Sequence, residues 1–454
     1  MRHPVDQSLL RAAKRVSPWA MAAGFVSVAA LLLFAAACAP DARPAAESVR
    51  IVQSTDGHFT LLRNGEPFVM QGAGGRSHID RLLASGGNTV RTWGIDDLGR
   101  KIEGKPFLDY MYERGLAVLA GIWVQHERHG FDYTDPEQLE RQRRVVREAV
   151  ETYRDHPAII VWGLGNEMEA FRGEADDAPV WREVNILARI VKEADPNRPV
   201  MTTVAGVTPE KVASVIRHAP EVDILGVNAY AAAIRTGEIL NEAGWNRPFV
   251  LAEFGPRGHW EVPLTPWGAP VEPTSEEKAR YYLRTYETVM EDAGDRCLGT
   301  FAFLWGHKQE VTHTWYGMFL PSGEKLPAVD VMTYAWSGRY PEVRCPVLRS
   351  VDFPGSGRVV APGTQWDVSA EAVDPQGLPL EFAWEVVSEQ TDPAVGGDRE
   401  EPPPRHPGAI TAADGNSATV RAPAAPGAYR LFITVRNPGN SATVANFPFK
   451  VGEP

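Results

Sequence analysis

His156-Pro157-Ala158-Ile159-Ile160-Val161-Trp162-Gly163-Leu164-Gly165-Asn166-Glu167 is an apolar run of strand length that ends abruptly on an amide and a carboxylate. A strand that is apolar at both alternations has no face for water, which is the pattern of a parallel sheet covered on its outside. The flanks agree. Upstream, Asp135-Pro136 supply a cap and a first helical residue, and Leu139, Val146, Val150 and Tyr153 then fall on one face. Downstream, residues 180–193 read as the next helix.

Working outward, further apolar runs lie at 68–72, 88–93, 117–123, 200–205, 223–230, 248–254 and 298–305. Helical stretches alternate with them at 78–84, 106–113, 209–218, 238–243 and 328–336, and Thr274-Ser275-Glu276-Glu277 forms a capping box before Ala279, Tyr282, Leu283, Tyr286 and Met290. Gly72-Ala73-Gly74-Gly75 lacks the spacing of a dinucleotide-binding turn, which argues against an open doubly wound sheet. Eight strand-and-helix units predict an α/β fold, a closed (β/α)8 TIM barrel. A hairpin at 49–68, with turns at Asp56-Gly57 and Asn64-Gly65, precedes it, so the barrel domain is assigned to 49–340. From 341 to 454 the texture changes to short alternating segments at 364–368, 381–387, 417–421 and 429–436 between Pro/Gly turns. That pattern predicts a small all-β Ig-like sandwich, similar to the Ig-like or PKD-like modules appended to secreted enzymes, and a role as a spacer.

Residues 1–37 are read as an export signal, with Arg11, Lys14 and Arg15 before an uncharged run from Trp19 to Ala37. Ala35-Ala36-Ala37-Cys38 resembles a bacterial lipoprotein signal, which implies lipidation of Cys38, a tether at 38–48, and a chain held at a membrane in the cell envelope. An uncleaved anchor and ordinary secretion are the alternatives. The formal net charge of −12 argues against nucleic acid as a partner. Beyond Cys38 only Cys297 and Cys345 remain, and an oxidising compartment allows them to pair. No Cys/His spacing fits a metal site, and no cofactor is implied.

In such a barrel function gathers at the C-terminal ends of the strands. Those ends carry Arg91, Trp93, His126, Asn166, Glu167, Asn228, Tyr230, Glu253 and Trp305. Two carboxylates, Glu167 and Glu253, each close an apolar run, where an unpartnered ionised Glu is costly. Glycosidic cleavage uses such a pair, one as a proton donor of raised pKa and one as an ionised nucleophile. Trp93, Trp315 and Tyr316 are candidate sugar-stacking faces, and Trp260 and Trp267 belong to a loop at 259–274 that is a candidate subsite wall.

Residues 156–167 resemble the acid/base signature of glycoside hydrolase family 2, and Pro248-Phe249-Val250-Leu251-Ala252-Glu253-Phe254-Gly255 resembles the nucleophile segment of the same clan of retaining barrel enzymes. The resemblance implies Glu167 as acid/base, Glu253 as nucleophile, Asn166 on the sugar 2-hydroxyl, Tyr230 bonded to the nucleophile, Arg91 beneath it and Trp305 as the floor of the sugar site. A retaining enzyme further implies carboxyl groups about 5–5.5 Å apart. Residues 87–96 are similar to fungal β-1,3-glucanosyltransferases of that clan. The expectation is therefore a retaining β-glycoside hydrolase acting on a carbohydrate, with a transglycosylase and a non-catalytic glycan-binding protein as the rivals.

Overall fold

A computed structural model describes residues 48–169, 177–391, 393–394 and 397–453; the expected export signal at 1–37, Cys38 and the expected tether up to residue 47 lie outside the described residues. Eight strands, Met70–Gly74, Thr89–Arg91, Ala117–Ile122, Ile159–Leu164, Val200–Ala205, Ile224–Asn228, Phe249–Phe254 and Cys297–Ala302, close into a parallel barrel in chain order. The eighth meets the first from Gly299 opposite Met70 to Ala302 opposite Ala73. The helices between them start where the sequence places caps. Asp135 accepts from the backbone N–H groups of Glu137 and Gln138 at the head of Pro136–Tyr153, and Thr274 with Glu277 completes a capping box before Ser275–Asp292.

The barrel interior is packed by Leu119, Val161, Met201, Val250, Leu298 and Phe301. Strands Val49–Gln53, Phe59–Arg63 and Glu66–Pro67 form the N-terminal hairpin sheet, and they add Val49 and Leu61 to the same cluster. Each such side chain contributes roughly 1.5–3 kcal/mol by leaving water. The hairpin thereby plugs one end of the barrel and leaves the strand C-termini as the open bowl.

Beyond the helix Pro327–Ser337, two four-stranded sheets form a small all-β unit. One orders Val347–Asp352, Gln365–Val373, Ser417–Arg421 and Ile410–Asp414; the other orders Val359–Val360, Ser441–Val451, Gly427–Asn437 and Glu381–Ser388. Val386, Val420, Leu431, Ile433 and Phe449 fill the space between them.

This unit is joined to the barrel by buried polar groups. Glu272 accepts from Lys278 Nζ, from Thr312 Oγ1 at 2.5 Å, from Thr314 Oγ1 at 2.8 Å and from Asn446 Nδ2 at 2.6 Å. Arg430 donates to Glu389 Oε1 at 2.8 Å and to the Pro270 carbonyl at 2.6 Å. Burial pushes the Glu272 carboxyl up, but Lys278, Arg430 and the hydrogen bonds outweigh it and hold it below the usual range. Glu272→Ala leaves Lys278 buried without its counterion and is expected to cost about 3–5 kcal/mol. Thermal unfolding of the full chain checks this, and an unchanged midpoint would show that the network contributes nothing.

The Cys297–Cys345 bridge that the sequence allows does not form; both thiols are free and buried. The chain turns back after the last helix, so Cys345 lies beside that helix's first turn, its N–H donating to Asp330 Oδ2 at 2.6 Å. Cys297 opens the eighth strand at the opposite end of the barrel. Burial pushes the Cys297 thiol up to about 11 and that of Cys345 well above its ordinary value.

Candidate active site

The fourth strand ends at Leu164, and Gly165 and Glu167 both adopt positive φ, +69° and +54°. For glutamate that conformation costs of order 1–3 kcal/mol, and such strain concentrates at functional turns. The Glu167 N–H donates to the Thr203 carbonyl at 2.9 Å, which fixes the turn to the neighbouring strand. Glu253 needs no turn; it is the fifth residue of the seventh strand and is buried.

Arg91 connects the two. Its Nη1 donates to Glu253 Oε1 at 2.7 Å and to the Ala252 carbonyl at 2.8 Å, and its Nη2 donates to Asn166 Oδ1 at 2.7 Å. Asn228 Nδ2 donates to Glu167 Oε1 at 2.7 Å and to Asn166 Oδ1 at 3.1 Å. Trp93 Nε1 donates to Glu253 Oε1 at 2.8 Å, and Tyr230 Oη donates to Oε2 at 3.4 Å. Glycine makes the Trp93 position available: a Cβ on Gly74 would stand 2.6 Å from its indole, and one on Gly121 would stand 2.6 Å from its backbone. Among the described residues, Glu253 thus accepts from one cation and two neutral donors, while Glu167 accepts from a single amide.

That asymmetry separates the two acids. Burial, and then the nearby Glu253 charge, push the Glu167 carboxyl up to about 7, against the Asn228 hydrogen bond and Arg91, which pull it down. Burial raises the Tyr230 phenol well above its ordinary value, so it stays a neutral donor. A proton-holding carboxyl beside one held by a guanidinium is the pairing that acid-assisted displacement at a glycosidic carbon requires.

These groups open into a cleft of about 560 Å³ lined by Trp93, Asn166, Glu167, Tyr230 and Glu253. Sequence reasoning missed several of its walls. Trp123, Arg128, Phe303 and Lys308 come from the loops after the third and eighth strands, and Pro393, Ala394, Gly397 and Asp398 come from the β unit. Trp260, 60% exposed, lies edge-on to Tyr230 at the rim.

Two predicted contacts lie elsewhere. Trp305 is not a floor for sugar: it packs in the barrel's outer core against Phe319 and Trp336, with Nε1 donating to the His78 carbonyl. The eighth strand stops at Ala302, so Phe303 occupies the strand-end position facing the cleft. His126 is buried beside Trp123 and His129 and does not line the cleft; burial pulls its imidazole down to about 4. Trp315 and Tyr316 are likewise buried, in a cluster with Phe303 and Val311.

Residues 116–257 match the family model of the glycosyl hydrolases family 2 TIM barrel domain, a span that contains both glutamates. A beta-glucuronidase of Paenibacillus borealis is 25% identical over 236 residues, 46% of this chain and 36% of that protein. A beta-glucuronidase of Sus scrofa is 27% identical over 195 residues, 40% of this chain and 28% of that protein. The chain therefore spans about a third of the length of these relatives. Among solved structures, a beta-glucuronidase of Bacteroides uniformis has a TM-score of 0.49 at 16% identity, covering 89% of this chain and 48% of that one. Residues 116–257 of the barrel are thus similar to the glycosyl hydrolases family 2 TIM barrel domain.

Proposed function

We propose that the protein is a retaining β-glycosidase in which Glu167 protonates the glycosidic oxygen and Glu253 attacks the anomeric carbon. The carrying observation is the unequal surroundings of the two carboxyls: among the described residues, Arg91, Trp93 and Tyr230 converge on Glu253, while Glu167 is buried with one amide donor. Attack by Glu253 releases the leaving group with the Glu167 proton and forms a glycosyl ester. Water, deprotonated by Glu167, then cleaves that ester and restores both groups. Asn166 and Asn228 are read as partners of the sugar hydroxyls beside the reacting carbon.

The curated relatives are beta-glucuronidases, so β-glucuronides belong in the first substrate panel. The cleft's cations are already paired, Arg128 with Asp398 and Lys308 with Glu310, so a neutral β-hexoside suits it as well as a uronide. We place the substrate outside the cytoplasm, reached by an enzyme anchored through Cys38; this rests on the sequence of residues 1–38. Proton NMR of the first product from p-nitrophenyl β-glycosides is expected to show the β-anomer before mutarotation. The α-anomer would overturn the retaining assignment. Glycosyl transfer to an added sugar acceptor, in place of hydrolysis, would favour the transglycosylase reading.

A further inference from the structure

Two cavities meet at Trp123. One is the catalytic cleft; the other, about 350 Å³, is lined by Trp123, Phe131, Gln125 and Gln142 and edged by the exposed Val145. Between them stands an arm of the β unit, formed by the described residues 393–394 and 397–400. Asp398 sets one carboxylate oxygen 3.5 Å from Arg128 Nη2, which faces the cleft, and the other 3.3 Å from His129 Nε2, which faces the outer cavity.

The arm is fixed at its other side as well. Lys308 Nζ donates to the Gly397 carbonyl at 2.8 Å. Glu400 is buried and accepts from the Val311 N–H at 2.8 Å and, within the arm, from the Ala394 N–H at 3.0 Å. Arg128 and His129 follow the third barrel strand, whereas Lys308 and Val311 follow the eighth. The first and second strands lie between those two in the barrel. The arm therefore fences the rim above them. Glu167, on the fourth strand, marks where the leaving oxygen must be, so the leaving group extends away from the fence and the sugar being cleaved lies towards it.

We propose that this arm of the β unit is the specificity-determining wall of the sugar site. A terminal sugar fits between Glu167 and Asp398, but an internal unit does not, because the next sugar of a β-linked chain would run into Asp398. On the far side of the wall, the cavity at Trp123 and Phe131 offers the aromatic faces a second sugar would need. The proposal rests on the glycosidase reading above and adds that the C-terminal unit completes the active site.

The test uses the full chain as wild type, Asp398→Ala and Glu400→Ala. The substrates are p-nitrophenyl β-D-glucoside, β-D-galactoside and β-D-glucuronide, with the β-1,3- and β-1,4-linked glucotetraoses and β-1,4-galactotetraose. Wild type is expected to release monosaccharide and trisaccharide first from a tetraose. Each variant is expected to raise the ratio of disaccharide to trisaccharide among initial products at least tenfold. A purely structural role would lower all rates together and leave that ratio unchanged. Asp398→Ala removes a half-exposed side chain, so it decides the matter if Glu400→Ala fails to fold. Disaccharide as a main wild-type product, or variants with an unchanged ratio or no disaccharide, overturns the wall while leaving the glycosidase reading in place. A wild type inert on every glycoside overturns both.

Discussion

Glu253→Gln is expected to lower kcat by about 10⁴-fold or more, the scale of loss when a covalent nucleophile is deleted. The amide keeps the side chain's shape and an acceptor for Arg91 and Trp93, but it supplies neither the electron pair nor the charge. About 5.5 kcal/mol of transition-state stabilisation is thereby lost. The substitution also leaves the buried Arg91 without its counterion, although its bonds to the Ala252 carbonyl and Asn166 persist. Stability should therefore fall less than for an isolated buried cation. A 2-deoxy-2-fluoro β-glycoside separates chemistry from folding. It should leave a glycosyl adduct on the peptide carrying Glu253 in the wild type and none in the variant. Turnover equal to wild type, or an adduct at another residue, would remove Glu253 from the role.

The barrel was legible because its signal is repetitive and local. Eight apolar runs separated by caps such as Asp135-Pro136 and Thr274 admit few other folds, and each run became a strand. The two glutamates, Arg91, Trp93, Asn228 and Tyr230 were legible for the same reason, since each stands at a strand end. Errors arose where a boundary or a long-range contact decided the matter. Counting the eighth run to 305 promoted Trp305 in place of Phe303, two residues earlier, because an indole looks more like a sugar platform than a phenyl ring does. The pairing allowed between Cys297 and Cys345 fails because a loop of a few residues after the last helix returns Cys345 to Asp330. The arm carried no signal at all. Asp398 meets Arg128 and His129 across most of the chain's length, and a Pro-rich polar segment looks the same in sequence whether it faces water or a cleft. The expected spacer thus lines the same cleft as Glu167 and Glu253.

Glu167→Gln is expected to lower kcat/KM on poorly activated glycosides by about 10²–10⁴-fold, the usual contribution of a positioned proton donor. The pH dependence carries the sharper signature. Glu167 works as an acid only while protonated, and its carboxyl is raised to about 7, chiefly by burial and then by Glu253. Activity should therefore be full on the acidic side of that value and should fall about tenfold per pH unit above it. In the glutamine variant this basic limb should vanish. A dinitrophenyl glycoside, whose leaving group departs without a proton, should react with the variant at close to the wild-type rate in its first step. The second step should then stall, because no base activates water, and added azide should restore turnover as a β-glycosyl azide. In the proposed two-step reaction the same residue serves both steps because its environment changes between them. Once Glu253 is esterified its negative charge is gone, one of the three causes raising Glu167 is removed, and the carboxyl shifts towards the ionised form that a base requires. A basic limb that persisted in Glu167→Gln would assign the proton to another group and leave Glu167 as a hydrogen-bond partner of Asn228.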